Sequence, residues 1–147
     1  MRDFQRSKVY DWEYHYLRNS KRNFDLPELS QVQEFVDMVL AERRNKLKVK
    51  AVQTYRKNAV WAWAKYNPPR IELPLGWGRK SDIILHEISH HIARDIAEGP
   101  AHGTLFVSVY IDLLNRYMNI DTDVLVRSLS KHKVKHSDMF LRRFQDD

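Results

Sequence analysis

The chain has 147 residues, a formal net charge of +6, 43% hydrophobic and 30% charged residues, and no cysteine. This length suits one domain over residues 1–147 with a core of its own, and the lack of Cys excludes disulfides and thiolate metal ligands. No apolar run is long enough to span a bilayer or serve as a signal peptide, so a cytoplasmic protein is expected; the positive charge permits an acidic partner without requiring one.

Residues 2–19 read as a helix rich in charge and aromatic side chains, followed by a connector at 24–27. A second helix is expected over residues 30–45. Ser30 and Gln33 have capping-box spacing, and Val32, Phe35, Val36, Val39 and Leu40 make one apolar stripe. Residues 47–55 alternate as a strand, Arg56-Lys57-Asn58 reads as a turn, and residues 59–66 form the second arm of a hairpin. Asn67-Pro68-Pro69 breaks that arm, and residues 70–73 make a short third strand before a loop over 74–80. A helix then starts at Ser81, a suitable N-cap, with Asp82 in its first turn. Gly99-Pro100 ends that region and Pro100 opens the next helix. Asp121 caps a short helix to about residue 130. From about Lys131 the chain reads as a solvated basic tail carrying Lys131, Lys133, Lys135, Arg142 and Arg143. Trp61 and Trp63 share a strand face, the ordinary pattern of core packing. There is no internal repeat.

The helix beginning at Ser81 contains His86-Glu87-Ile88-Ser89-His90, the pattern H-E-x-x-H. Histidines four apart stand one turn apart on one helix face, so His86 and His90 can grip one Zn²⁺, and Glu87 can take a proton from a water beside it. At this composition, chance yields the pattern about 0.015 times per chain. The apolar residues Ile84, Leu85, Ile88, Ile92 and Ile96 fall on a separate face. A catalytic zinc needs a third protein ligand. Ala93 and Ile96 stand where the longer metzincin motif has Gly and His, and Glu98 is too near to fold back easily, so His102 is the candidate. It shares its helix face with Phe106, Val109, Leu113 and Tyr117, with Ser108, Asp112, Asn115, Arg116 and Asn119 opposite. His91 projects away from the pair and is expected to pack or bond elsewhere. Arg94 lies on the Glu87 side, able to pair with Glu98 or to polarise a substrate carbonyl.

His86-Glu87-Ile88-Ser89-His90, eleven residues, then His102-Gly103-Thr104-Leu105-Phe106 together resemble the SprT-like (Spartan-type) zinc metalloprotease domain, whose third ligand opens the next helix as H-G-x-x-F. The start, from Arg2 to Tyr10, is similar to that of small metallohydrolases of actinobacteria and their phages. The resemblance is specific over about residues 70–118 and looser elsewhere. It implies Zn²⁺ held by His86, His90 and His102, with Glu87 catalytic. Two departures stand out: the chain lacks the Cys-based zinc ribbon that often follows the bacterial domain, and Thr104 occupies a position where Pro is common.

The expectation is therefore an α+β, zincin-like domain with helices on one face of a small, mostly antiparallel sheet. The expected activity is zinc-dependent hydrolysis of peptide bonds, with Glu87 as general base. The strand at 70–73 is expected to be an edge that pairs with an extended protein or peptide substrate. A non-peptide amide substrate is an alternative within hydrolase chemistry. An alternative from another class is a nucleic-acid-binding or phage-encoded interaction protein with structural zinc; Glu87 argues against it, since a structural site has no use for a base. Spartan-type enzymes use DNA to gate proteolysis, so the resemblance implies DNA as a further partner. Lys131–Lys135 with Arg142 and Arg143, and Lys48, Lys50, Arg56 and Lys57, are the candidate patches.

Overall fold

A computed structural model describes residues 2–54, 60–74 and 79–145. The expected turn at Arg56-Lys57-Asn58 and most of the loop at 74–80 lie outside the described residues. The first helix, α1 (Arg6–Trp12), runs into a π-helical turn over Glu13–Leu17. There the Arg18 N–H reaches the Glu13 carbonyl five residues back (3.0 Å). Val9, Trp12 and Leu17 are buried on its inner side, and the Trp12 indole N–H donates to Ser128 Oγ at 3.0 Å. Residues 2–5 precede the helix, which is therefore shorter than its composition predicts.

Helix α2 (Leu29–Glu42) buries the expected stripe of Val32, Phe35, Val36, Val39 and Leu40. Its capping box is Glu28 with Gln31, not Ser30 with Gln33; the Glu28 N–H donates to Gln31 Oε1 at 3.0 Å. Gln33 serves the sheet instead. Its Nε2 donates to the Val49 carbonyl (2.9 Å), and its Oε1 accepts the Ala51 N–H (2.7 Å). An amide side chain thus satisfies backbone groups that an edge strand would leave open.

The sheet holds β1 (Lys50–Gln53), β2 (Trp63–Tyr66) and β3 (Pro69–Leu73) in the order β1-β3-β2. β3 runs parallel to β1 and antiparallel to β2. The sheet is therefore mixed, and β1 and β2 do not form a hairpin. The expectation that residues 70–73 form an edge fails as well. Ile71 and Leu73 are fully buried, and that demand for burial draws β3 to the centre. Trp61 and Trp63 also depart from expectation, being 56% and 46% exposed.

Helix α3 (Ser81–Ile96) lies against β2 and β3, while α2 touches β1. Nearly every α3 residue from Ser81 to Ala93 is buried. Its start is tied down from outside the helix. Asn23 Oδ1 accepts from Ser81 Oγ (2.7 Å) and from the Asp82 N–H (3.0 Å), and Arg18 pairs with Asp82 at 3.1 Å. Asn23, not Ser81, does the capping.

Helix α4 (Thr104–Met118) packs along α3, with α5 (Thr122–Lys131) and α6 (Asp138–Gln145) packed on α4. Asp121 caps α5 as expected, accepting from the Asp123 and Val124 N–H groups. The α4 face expected to be polar and open is covered: Ser108 bonds the Ser137 N–H (2.8 Å) and Asp112 pairs with Arg43 (3.3 Å), both buried. The C-terminal segment is thus no free tail. Lys131, Lys133, Lys135, Arg142 and Arg143 are exposed, but Val134 and Leu141 are buried, and Arg43 and Arg116 both donate to the Phe144 carbonyl. Truncation after Ser130 is expected to remove about 3–6 kcal/mol of apolar burial from those two side chains alone. The melting temperature should then fall by on the order of 10 °C. A truncated chain that melts with the full one would show that this segment adds nothing to the core. No helix among the described residues is long and apolar enough to cross a membrane.

Candidate metal centre

Two turns of backbone bring three imidazoles together. His86 and His90 stand one helical turn apart on α3, and their Nε2 atoms are 3.1 Å apart. His102 Nε2 lies 3.2 Å from His86 Nε2. His102 sits just before α4, not inside its first turn, because the chain first closes a turn in which the Gly103 N–H donates to the Pro100 carbonyl (3.0 Å). A Cβ at Gly103 would stand 3.2 Å from that carbonyl, so glycine suits the tight approach. The three histidines form a group able to hold a metal ion, with His86 and His102 buried and His90 partly so. Phe106 stacks beneath His90, ring centroids 4.4 Å apart.

The outer nitrogens bear on what the inner ones can hold. His86 Nδ1 is 2.7 Å from Glu13 Oε1, and His102 Nδ1 is 2.7 Å from Asp3 Oδ2. The His102 backbone N–H also reaches Asp3 Oδ1 (3.2 Å), and His90 bonds the backbone of Ala101. In the tautomer with Nδ1–H donated to a carboxylate, Nε2 keeps only its lone pair. In that tautomer, lone pairs facing one another at 3.1–3.2 Å favour a positive charge among them. Zinc–nitrogen bonds of about 2.0–2.1 Å at tetrahedral angles separate ligand nitrogens by about 3.3 Å. Donor type, spacing and carboxylate backing all fit a divalent ion.

Glu13 and Asp3 escaped the sequence reading, as did Tyr10 and Arg6 described below. One signal existed for Glu13, which lies on the buried stripe of Val9, Trp12 and Leu17, where a lone carboxylate needs a partner. Burial, then the charge of Asp82, pushes its pKa up to about 8. Tyr110 donates to Glu13 Oε2 (3.2 Å) and to the Asp82 carbonyl (3.0 Å). A cation on His86 Nε2 would draw the shared proton onto Nδ1 and favour ionised Glu13.

Glu87 is buried beside the triad and hydrogen-bonded to the backbone N–H of Ala64 in β2. Burial, then the charge of Glu13, holds its carboxyl well above the ordinary range. His91 turns away, its Nε2 2.9 Å from the Arg70 carbonyl of β3. Arg94 lies over the Tyr66 ring, 4.0 Å from the centroid, and bonds the Tyr66 hydroxyl.

Two cavities flank the triad. One, of about 370 Å³, is lined by Asp3, Arg6, Ser7, Tyr10, Trp61 and Trp63, among others. The other, of about 630 Å³, is lined by His90, Tyr66 and Arg94 and by the segment from Ala97 to Ala101. The Tyr10 ring stacks on His86 (5.7 Å, 12°), lies 5.2 Å from His102 and is tilted against Trp61 (6.1 Å). Burial, followed by the charges of Glu87 and Glu13, pushes its phenol up to about 12.

His102→Ala is expected to lose most of the bound metal, while His91→Ala keeps it, read by elemental analysis of the purified variants. Retention in the first variant would move the third ligand elsewhere. Burial, then the neighbouring histidines, holds His86 and His90 well below the ordinary 6.5. Protons therefore compete with metal only in acid, and occupancy is expected to fall below about pH 6. The sign for stability agrees: below 6.5 the unfolded chain binds more protons at these two rings than the folded one, so stability declines as pH falls.

Comparison with protein-family models, with curated proteins and with solved structures finds no match to this chain.

Proposed function

We propose that the protein is a zinc-dependent metallohydrolase that cleaves peptide bonds. The observation that carries this reading is the pairing of three carboxylate- or backbone-braced imidazoles with a buried glutamate at the same point of the fold. A structural metal site has no need of Glu87, whose burial costs stability. The likeness of His86–His90 and His102–Phe106 to the SprT-like signature supports a zincin-like fold and the same chemistry.

His86, His90 and His102 would hold the ion, which supplies Lewis acidity and lowers the pKa of a water at its open position to about 7. Glu87, fixed by the Ala64 N–H, takes the proton of the attacking water and hands it to the departing amine. The substrate edge is β2, not residues 70–73. β2 has no strand on its outer side among the described residues, whereas Gln33 caps the outer edge of β1. An extended polypeptide laid along β2 brings its carbonyls past Glu87.

Metal analysis combined with cleavage of casein and of an unfolded basic protein, before and after chelation, tests the reading. Zinc near one per chain with chelator-sensitive cleavage is expected; zinc without cleavage of any substrate would favour the structural alternative. DNA enters as a proposed partner through the exposed Lys131, Lys133 and Lys135; Arg56 and Lys57 lie outside the described residues. Binding should weaken steeply with salt and with reversal of those three charges. No binding at protein concentrations of about 10⁻⁴ M in low salt would remove DNA from the account.

A further inference from the structure

We infer that Tyr10 is a catalytic residue of this centre: its hydroxyl donates the hydrogen bond that stabilises the oxyanion formed when an amide carbonyl is attacked. The inference rests on the hydrolytic reading above and adds a group that His86, Glu87, His90 and His102 do not supply.

The placement comes first. Among the described residues, Tyr10 is the tyrosine that touches two of the three imidazoles and also opens onto a cavity. Its ring lies parallel to His86 and against His102, it is 37% exposed, and it lines the 370 Å³ space with Trp61 and Trp63. Trp61 and Trp63 stand at the start of β2, along which an extended chain would lie. A substrate occupying that cavity therefore meets Tyr10 on one side and β2 on the other.

The direction of the proton follows from the partner. Arg6 carries only N–H donors, so toward its guanidinium the phenolic oxygen can only accept. The phenol's own O–H is then the donor left for a substrate. Arg6, whose guanidinium lies 5.9 Å from the ring centroid, acts as a positioning residue. The step balances with no further reactant. Water oxygen bonds to the carbonyl carbon and its proton passes to Glu87. The carbonyl π pair moves onto oxygen, where Tyr10 O–H stabilises it without transferring its proton. The C–N bond then breaks as Glu87 returns the proton to nitrogen.

Two other tyrosine hydroxyls near the centre have partners of their own. Tyr110 is buried and donates to Glu13 and the Asp82 carbonyl. Tyr66 also has an arginine on its hydroxyl, but its ring packs on His91, which faces β3 rather than the triad. Tyr66, which lines the second cavity with His90, is therefore the rival donor to compare.

Tyr10→Phe keeps the ring that covers His86 and removes only the O–H. On a peptide that the wild type cleaves, kcat is expected to fall about 10²-fold, with KM within about twofold and zinc content and melting temperature unchanged. Tyr66→Phe should lose less kcat than Tyr10→Phe, and Arg6→Lys should retain more activity than Arg6→Ala. Binding of a phosphinic analogue of that peptide, whose oxygens mimic the oxyanion, should weaken about 10²-fold in Tyr10→Phe by calorimetry. Wild-type kcat and analogue affinity in Tyr10→Phe, a loss confined to KM, or the kcat loss appearing in Tyr66→Phe instead would each overturn the assignment. A wild type that neither cleaves peptides nor binds the analogue would overturn the hydrolytic reading and this inference with it.

Discussion

Glu87→Gln is expected to fold, to keep its metal and to lose hydrolysis by on the order of 10³- to 10⁴-fold. The amide oxygen of Gln can still accept the Ala64 N–H, so the side chain stays where it is. What disappears is the capacity to take a proton. The same substitution relieves a penalty. Because burial and Glu13 raise the Glu87 pKa, the folded state resists ionising this group at every pH above its ordinary 4.5. The unfolded chain releases that proton more readily, so stability declines as pH rises above 4.5. A neutral Gln removes that slope. In the metal-free protein at pH 7, the variant should melt no lower than the wild type. Equal cleavage by the two proteins would end the general-base assignment; a large drop in melting temperature would recast Glu87 as structural.

The second large effect belongs to Glu13. Glu13→Ala is expected to weaken metal binding about 10- to 100-fold, measured by competition with a chelator of known affinity. It leaves His86 Nδ1 buried with no partner and frees the ring to take the wrong tautomer. Glu13→Gln keeps an acceptor for Nδ1–H and should lose less. Asp3→Ala, acting on His102 from a more exposed position, should follow in the same direction with a smaller effect. Unchanged affinity in Glu13→Ala would mean that His86 is oriented by packing alone, through Phe106 and Tyr110.

These variants mark how far the sequence could be read. His86 and His90 were legible because a four-residue spacing on a helix puts both rings on one face, a local fact of geometry. His102 was legible because a Gly-Pro break and a new helix set it nearby. Asp3 and Glu13 were not, since they lie 99 and 73 positions from their histidines and no local rule links such positions. The sheet fails for the same reason. Three short strands were visible, but placing β3 between β1 and β2 is a non-local choice that burial of Ile71 and Leu73 decides. Helix α6 was hidden because the basic run from Lys131 reads as a solvated tail; Leu141 and Phe144 nevertheless pack on the core, and Arg43 and Arg116 hold the Phe144 carbonyl. Trp61 and Trp63 misled by type, since large aromatic residues are buried more often than not.

The bond between Asp3 and His102 has a consequence for the order in which the protein can form. Residues 2–17 carry two of the groups that brace the triad, yet His102 is made 99 positions after Asp3. At about 5–20 residues per second, that delay on the ribosome is about 5–20 s. Throughout it, Val9, Trp12 and Leu17 wait for α3, α4 and α5 to be synthesised, and Glu13 waits for His86. An ion held by all three histidines could be captured only after residue 102 has been made. It would fasten residues 2–17, through Asp3 and Glu13, onto α3 and the start of α4.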